Sequence, residues 1–309
     1  MRAPEARRLI APAKVNLGLR VAAKRGDGYH EIDTVFLALD LHDDVQVTRT
    51  DGPGIDGEVQ NDPPGAHGAV PGMHDGNLAY RAAEAWLRAT GHDAGVRIVL
   101  RKRIPVAAGL GGGSSDAGAV LRALAEILPG EAKATDVARE VGSDVPFFAA
   151  GLPAARGRGR GERLAEMALT PRDLVLVHPG VRVSAADAYA ALSSFGPPTD
   201  AEGLRWAWNA GEVPRWRNDL QAAVARLQPG VRDVLRALLE VELQAPLLSG
   251  SGATCFALAR DGAHARDAAA VIEEAHPGWW CAPARGPVEA AALVPRPVNI
   301  EEDGTPPSP

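Results

Sequence analysis

A run of four glycines in five positions, Gly109-Leu-Gly-Gly-Gly113, followed by Ser114 and Ser115, constrains this chain more than any other feature of it. The run follows a strand-like segment at 96–100. It leads into Ala117, Val120, Leu121, Leu124, Ile127 and Leu128, whose spacing predicts one apolar stripe on a helix closed by Pro129-Gly130. Glycines let the backbone approach a ligand and turn N–H groups inward, while a helix N-terminus adds unpaired donors and a partial positive charge. Phosphate oxygens require that combination. Ser114 or Ser115 can cap the helix and offer a hydroxyl to a phosphate or a magnesium ion. The alternative is a glycine-rich turn with an ordinary serine cap, which would cost more backbone entropy than a turn needs.

Two other phosphate loops fit less well. The Walker pattern needs a Gly-Lys pair, and none occurs in the chain. The dinucleotide fingerprint G-x-G-x-x-G ends on Ser114 instead of glycine, and no alternation of strands and helices precedes it, so a nicotinamide enzyme is the weaker reading.

A length of 309 residues leaves room for two domains, and 46% apolar with 23% charged residues is the mix of a folded soluble protein. The 33 basic and 39 acidic side chains give a net charge of −6, which disfavours a polyanion-binding surface, so phosphate chemistry must be local. Cys255 and Cys281 are too few and too far apart for a zinc site, a redox pair or a disulfide framework, and a reducing compartment fits. No apolar run reaches the roughly 18 residues of a membrane span, and no apolar signal core opens the chain, so the expected location is cytoplasmic.

From Val15 the sequence alternates, with Val15, Leu17, Leu19 and Val21 on one face and Lys14, Asn16, Gly18 and Arg20 on the other. This predicts a half-buried strand on which Lys14 and Asn16 point the same way. Gly26-Asp27-Gly28 signals a turn, and 32–41 reads as a more buried strand antiparallel to the first. Residues 51–76 are dense in Gly, Pro and Asp, which predicts a long surface excursion without regular structure. Leu78, Ala82, Ala85 and Trp86 predict a helix over 77–88. The arginine-glycine run at 156–161 reads as a solvated connection, which places a boundary between lobes 1–160 and 161–294. In the second lobe 174–177 and 254–258 read as strands and Val231, Val234, Leu235, Leu238 and Leu239 as a helix face, making it α+β. Residues 295–309 hold five prolines and three acids with little to bury, the composition of a disordered tail.

The glycine loop resembles the phosphate loop of the GHMP kinases, named for galactose, homoserine, mevalonate and phosphomevalonate. Ala11-Pro-Ala-Lys-Val-Asn-Leu17, Gly26-Asp-Gly-Tyr-His30 and Gly142-Ser-Asp-Val-Pro-Phe-Phe148 extend the likeness, followed in order by Asn218-Asp-Leu220 and Leu248-Ser-Gly-Ser-Gly-Ala-Thr254. The resemblance runs from Ala11 to about Leu293. It implies a two-lobed α+β fold, with a mixed sheet and the phosphate loop in the N-terminal lobe and a C-terminal α+β lobe. The implied reaction uses ATP with Mg2+ and phosphorylates the 2-hydroxyl of 4-diphosphocytidyl-2-C-methyl-D-erythritol, in the non-mevalonate route to isoprenoid precursors. The implied partner is thus a small molecule with a cytidine diphosphate group, with no nucleic acid and no membrane, and the chain a monomer or weak homodimer. The rivals are another GHMP kinase, acting on mevalonate, homoserine or a sugar, and a silent binding protein on the same fold.

The same resemblance assigns the residues. Gly109, Leu110, Gly111, Gly112, Gly113, Ser114 and Ser115 hold the ATP phosphates, Asp144 is the base and Lys14 the cation beside it. Asn16 orients the substrate hydroxyl or diphosphate, Tyr29 and His30 meet cytosine, and counting along the motifs places Tyr189 on its other face. Without the resemblance, Lys14 reads as a solvent-facing strand residue, Asp144 equally as a base or as the start of a short helix, and the three rings equally as binding or as packing residues. Val145, Pro146, Phe147 and Phe148 are expected to wall Asp144 from water, which would raise its pKa from the ordinary ~3.9. Gly118 stands where the family has alanine and is expected to cost the helix up to ~1 kcal/mol. Asp116, placed in the first helical turn, is expected to face away from phosphate or to meet magnesium. Gly250-Ser-Gly252 either closes around the site or forms a structural turn.

Overall fold

A computed structural model describes residues 6–26, 28–62, 72–193 and 195–290. Asp27 of the expected turn, part of the 51–76 excursion and the expected 295–309 tail lie outside the described residues. Strand β1 (Ala6–Lys24) pairs antiparallel with the long β2 (His30–Thr50) along one edge. The ladder slips at three irregularities, between Pro12 and Lys14, Asn16 and Gly18, and Val21 and Lys24. The alternation predicts one exposed face, but both are buried: Val15 and Leu17 share an apolar cluster with Leu174, Leu176 and Phe256, while Lys14 and Asn16 are each 3% exposed. The apolar face meets the second lobe, and Lys14 on the polar face lies against the glycine loop and Phe36 of the first.

The other edge of β2 is divided between two partners. Its later half pairs antiparallel with β4 (Gly95–Lys102), and its earlier half with β5 (Ala154–Gly159), which continues into β6 (Arg163–Glu166). Two expectations fail here. The excursion contains a strand, β3 (Gly54–Asn61), running parallel to β4 at the sheet edge. Its alternation of half-buried and exposed residues rests on only two apolar side chains, Ile55 and Val59. The arginine-glycine run is strand β5 instead of a solvated connection, because Gly157 lies flat under the Phe36 ring, where a Cβ would come within 2.6 Å. The β5–β6 pair therefore spans residue 160 and belongs wholly to the first sheet.

Helices α1 (Leu78–Thr90), α2 (Gly112–Ile127), α3 (Ala134–Val141) and α4 (Val145–Ala149) cover that sheet over a core of alanine, valine and leucine around Trp86. Asn77 caps α1 by accepting from Ala79 N at 2.9 Å, and Gly91, with φ 69°, ends it. The cap expected from Ser114 or Ser115 does not form. Helix α2 begins earlier, with Gly111 at φ 72° as its N-cap, so both serines lie within the helix. Gly118 has a packing reason: α4 crosses α2 so closely that a Cβ there would stand 2.5 Å from Phe148 Cβ and 2.8 Å from Ala149 N.

The second lobe is a four-stranded antiparallel sheet ordered β10-β7-β9-β8, from β7 (Arg172–His178), β8 (Gln244–Leu248), β9 (Cys255–Leu258) and β10 (Trp280–Gly286). Around it lie α5 (Ala185–Ala190), α6 (Ala201–Asn209), α7 (Gln221–Leu227), α8 (Gly230–Glu240) and α9 (Gly262–Ala275). Leu19, Val21 and Ile32 of the first lobe join its apolar core, so the two lobes share side chains across their boundary.

Candidate active site

The Asn218-Asp-Leu220 segment ties the lobes together and shapes the site from outside. Asp219 N donates to Leu19 O at 2.9 Å, and Asp219 Oδ2 accepts from Val21 N at 2.9 Å. Asn218 Nδ2 donates to Leu248 O and Gly250 O at 2.9 and 2.7 Å, moulding the 248–252 turn. That turn reaches the glycine loop. Ser249 Oγ donates to Gly109 O at 2.9 Å and Thr254 N to Ala108 O at 3.1 Å, while a Cβ on Gly109 would stand 2.4 Å from Ser249 O. The glycine at 109 is therefore demanded by the opposite lobe as well as by its own φ of 81°.

Two cavities meet at the loop. The larger, about 700 Å³, is lined by Lys14, Asn16, Tyr29, His30, Asp144 and Tyr189, together with Gly109, Gly111 and Ser114. The smaller, about 290 Å³, lies beyond the loop against Asn77, Lys102 and Asp116 and shares Gly109, Gly111 and Ser114, with Gly112 and Gly113 added. Leu110 and Ser115 line neither. The Leu110 side chain joins the core between the lobes, its carbonyl accepting from Lys14 N at 2.9 Å, and Ser115 is 1% exposed with an Oγ that has no hydrogen-bond partner among the described residues.

At the floor of the larger cavity Lys14 Nζ donates to Asn16 Oδ1 at 2.7 Å and to Gly109 O at 3.1 Å, and stands 3.5 Å from Asp144 Oδ2. Asp144 precedes α4 in αR conformation without capping it, which leaves its carboxylate free to face the cavity. The walls expected around it turn elsewhere. Val145 packs under α2, and Phe147 and Phe148 pack with Phe36, so the Asp144 side chain keeps 29% exposure. A Cβ on Gly111 would stand 3.1 Å from both the Lys14 stem and the Phe148 ring, so the loop lies tightly against them.

The ring residues occupy the far wall. His30 and Tyr189 stack with centroids 5.3 Å apart and planes 21° from parallel, forming one two-ring surface. His30 Nδ1 lies 3.0 Å from Ala22 O, an acceptor only, so Nδ1 carries a hydrogen and donates it there. Burial, and then the charge of Asp144, push the Tyr189 phenol well above its ordinary pKa, so it remains a neutral hydroxyl. Tyr29 is 51% exposed at the rim, with the Arg160 guanidinium 4.9 Å above its ring. Sequence reasoning missed Arg160, Lys24 and Ser143, which also line the cavity, and Ser249 and Asn218, which shape it. Arg160 was hidden in the arginine-glycine run. Gly250 and Ser251 line the cavity too, so this structural turn before β9 is also part of the cavity wall.

Asp116 does not turn outward to solvent but is held in a buried ion-paired cluster. It lies one turn inside α2, at 2% exposure, ion-paired to Lys102, which also pairs with Asp43 at 0% exposure. Asp43 Oδ1 accepts from Ile104 N at 2.9 Å, so the triad joins β2, the end of β4 and α2.

The model for the GHMP kinases N terminal domain matches residues 77–152, and that for the GHMP kinases C terminal matches residues 205–278. Among curated proteins, the 4-diphosphocytidyl-2-C-methyl-D-erythritol kinase of Thermus thermophilus is 42% identical over 87% of this chain and 94% of its own length. The enzyme of the same name from Deinococcus radiodurans is 42% identical over 88% and 90%. The crystal structure of a 4-(cytidine 5'-diphospho)-2C-methyl-D-erythritol kinase superposes with a TM-score of 0.77 at 41% identity, covering 91% of this chain and 99% of that one. The L. major mevalonate kinase, in its R-mevalonate complex, superposes with a TM-score of 0.66 at 17% identity, covering 93% of this chain and 97% of that one, and shares the fold. The chain belongs to the GHMP kinase family.

Proposed function

We propose that this chain transfers the γ-phosphoryl group of ATP to the 2-hydroxyl of 4-diphosphocytidyl-2-C-methyl-D-erythritol, giving the 2-phosphate and ADP. The observation that carries this reading is the Lys14–Asp144 pair on the floor of a cavity walled on one side by the glycine loop and on the other by the His30–Tyr189 rings. The loop and the first N–H groups of α2 receive the triphosphate, and the cavity beyond the loop has room for the nucleoside. The ring surface takes the cytosine, with Tyr29 and Arg160 at the rim, which puts the alcohol end of the substrate towards Asp144.

Phosphoryl transfer needs positioning and charge stabilisation more than covalent chemistry. Asp144 accepts the hydroxyl proton as the oxygen attacks phosphorus. Lys14 offsets the charge on the transferring oxygens, held in place by Asn16 and the Gly109 carbonyl. Magnesium fits as a partner of the nucleotide. Among the described residues no group of three His, Cys, Asp or Glu side chains could hold it alone, whereas magnesium readily combines a few protein oxygens with water and phosphate. Ser114, which lines both cavities at the mouth of α2, is the hydroxyl that would hold it, and the bound ion would neutralise phosphate charge. No helix of the described residues is long and apolar enough to cross a membrane, and the reading makes this a cytoplasmic enzyme.

The test is a coupled ADP-release assay with the cytidyl substrate, mevalonate, homoserine and galactose. Turnover of the cytidyl substrate alone, competed by cytidine diphosphate, supports the reading. Turnover of another alcohol without that competition overturns it.

A further inference from the structure

Asn16 has one amide and two neighbours that want different ends of it. Its Oδ1 faces Lys14 Nζ at 2.7 Å, and its Nδ2 faces Thr34 Oγ1 at 2.7 Å. Thr34 sits on β2, fully buried, and its hydroxyl lies 2.6 Å from Gly18 O, beside the irregularity between Asn16 and Gly18 where the β1–β2 register slips.

A hydroxyl carries one hydrogen. Given to Gly18 O, it leaves the Thr34 oxygen only lone pairs to offer Asn16, so Asn16 must present its NH2 there and its carbonyl to Lys14. The reversed amide would set NH2 against an ammonium and C=O against an oxygen that has no hydrogen left, two buried repulsions at once. All three acceptors around the ammonium, Asn16 Oδ1, Gly109 O and Asp144 Oδ2, then depend on fixed geometry, and the first of them is fixed by Thr34.

We propose that Thr34 is a positioning residue for the phosphoryl-transfer site: its hydroxyl dictates which way the Asn16 amide faces and so holds Lys14 on Asp144. Thr34 touches no reacting atom. It lines neither cavity at the glycine loop and acts only through Asn16. The role in catalysis rests on the kinase reading above, while the hold on Lys14 does not.

The experiment compares Thr34→Val, which keeps shape and strand propensity but removes the hydroxyl, with Thr34→Ser, which restores it. Valine is expected to lower kcat roughly 10-fold with the KM for ATP unchanged, and serine to recover most of that loss, as befits one buried hydrogen bond. In an Asn16→Ala background the valine change is expected to add less than about twofold, since the residue it acts through is gone. A second measurement needs no substrate: acetylation of Lys14 by acetic anhydride, read by mass spectrometry on the full-length chain, is expected to rise several-fold in Thr34→Val and to stay at the wild-type rate in Thr34→Ser. Equal loss in the valine and serine variants, full additivity with Asn16→Ala, or unchanged Lys14 labelling in the valine variant overturns the proposal. A wild-type protein inactive on the cytidyl substrate would sink the kinase reading instead and leave the labelling result to decide on Thr34.

Discussion

Lys14 Nζ and Asp144 Oδ2 stand 3.5 Å apart although one side chain comes from the middle of β1 and the other from the residue before α4, and their exposures differ, 4% against 29%. The cation is sealed in the floor and the acid opens to the cavity. A base must reach the hydroxyl it deprotonates, whereas a charge that steadies phosphate oxygens gains from being dry. Asp144→Asn is expected to lower kcat by about 10³-fold, within the range of general-base losses, with ATP affinity nearly unchanged. Lys14→Met should cost about 10²-fold or more. Single-turnover kinetics beside ATP titration separates the two effects, and an Asn variant that kept most of its rate would remove Asp144 as the base.

Gly118→Ala tests packing against propensity. An alanine in a helix interior ordinarily gains up to about 1 kcal/mol over glycine. Here its methyl would overlap Phe148 Cβ and Ala149 N, and α4 would have to move. We expect a net loss of about 1–3 kcal/mol in urea unfolding, typical of overpacking. Because α4 follows directly on Asp144, kcat should fall with it; a stabilised variant would show that α4 yields without cost.

The Asp43–Lys102–Asp116 triad gives a pH prediction. Burial raises the Asp116 carboxyl to about 7, with Lys102 opposing and Asp43 adding to the rise. In the unfolded chain its value is near 3.8. Between those two values the folded chain keeps a proton that the unfolded chain has lost, so this contribution to stability declines as pH rises from about 4 to about 7. Asp116→Asn removes the titration, and the Tm of the variant is expected to gain on wild type across that window. A difference independent of pH would refute it. Lys102→Met leaves two buried carboxylates facing each other and should cost about 3–5 kcal/mol.

On the proposed reading the ring surface meets the cytidyl substrate and not ATP. Stacking on a nucleobase contributes about 1–3 kcal/mol, so Tyr189→Ala is expected to raise the KM for the cytidyl substrate roughly 10- to 100-fold. The KM for ATP should stay within about twofold. Steady-state kinetics with each substrate varied in turn checks this. Equal effects on both would place Tyr189 in the scaffold.

Motifs that act through neighbouring residues were legible in the sequence, and those assembled from distant residues were not. The alternation at 14–21 announced β1 and put Lys14 and Asn16 on one face, and the stripe after the glycines announced α2. Strand β3 escaped because glycine stands at a position where a strand would show an apolar residue: a Cβ on Gly57 would fall 1.8 Å from Ile98 O, so the parallel contact with β4 forbids one. Asp116 was read against the helix dipole alone because its partners, Lys102 and Asp43, come from other elements. The lysine is 14 residues away from Asp116 and 59 from Asp43. The apolar segment after Asp144 was assigned to the acid when it in fact packs beneath α2 and against Phe36. Composition announces that a side chain will be buried but not which neighbour it is buried against.

The Ser249 hydroxyl that steadies Gly109 lies 140 residues downstream of it. A nascent chain therefore emerges with its glycine loop unsupported, and the loop is braced only once β8 and the turn after it have been added. Truncations or early termination products ending ahead of β8 would carry every family motif of the first lobe and still lack the brace, which makes them poor competitors for cellular ATP.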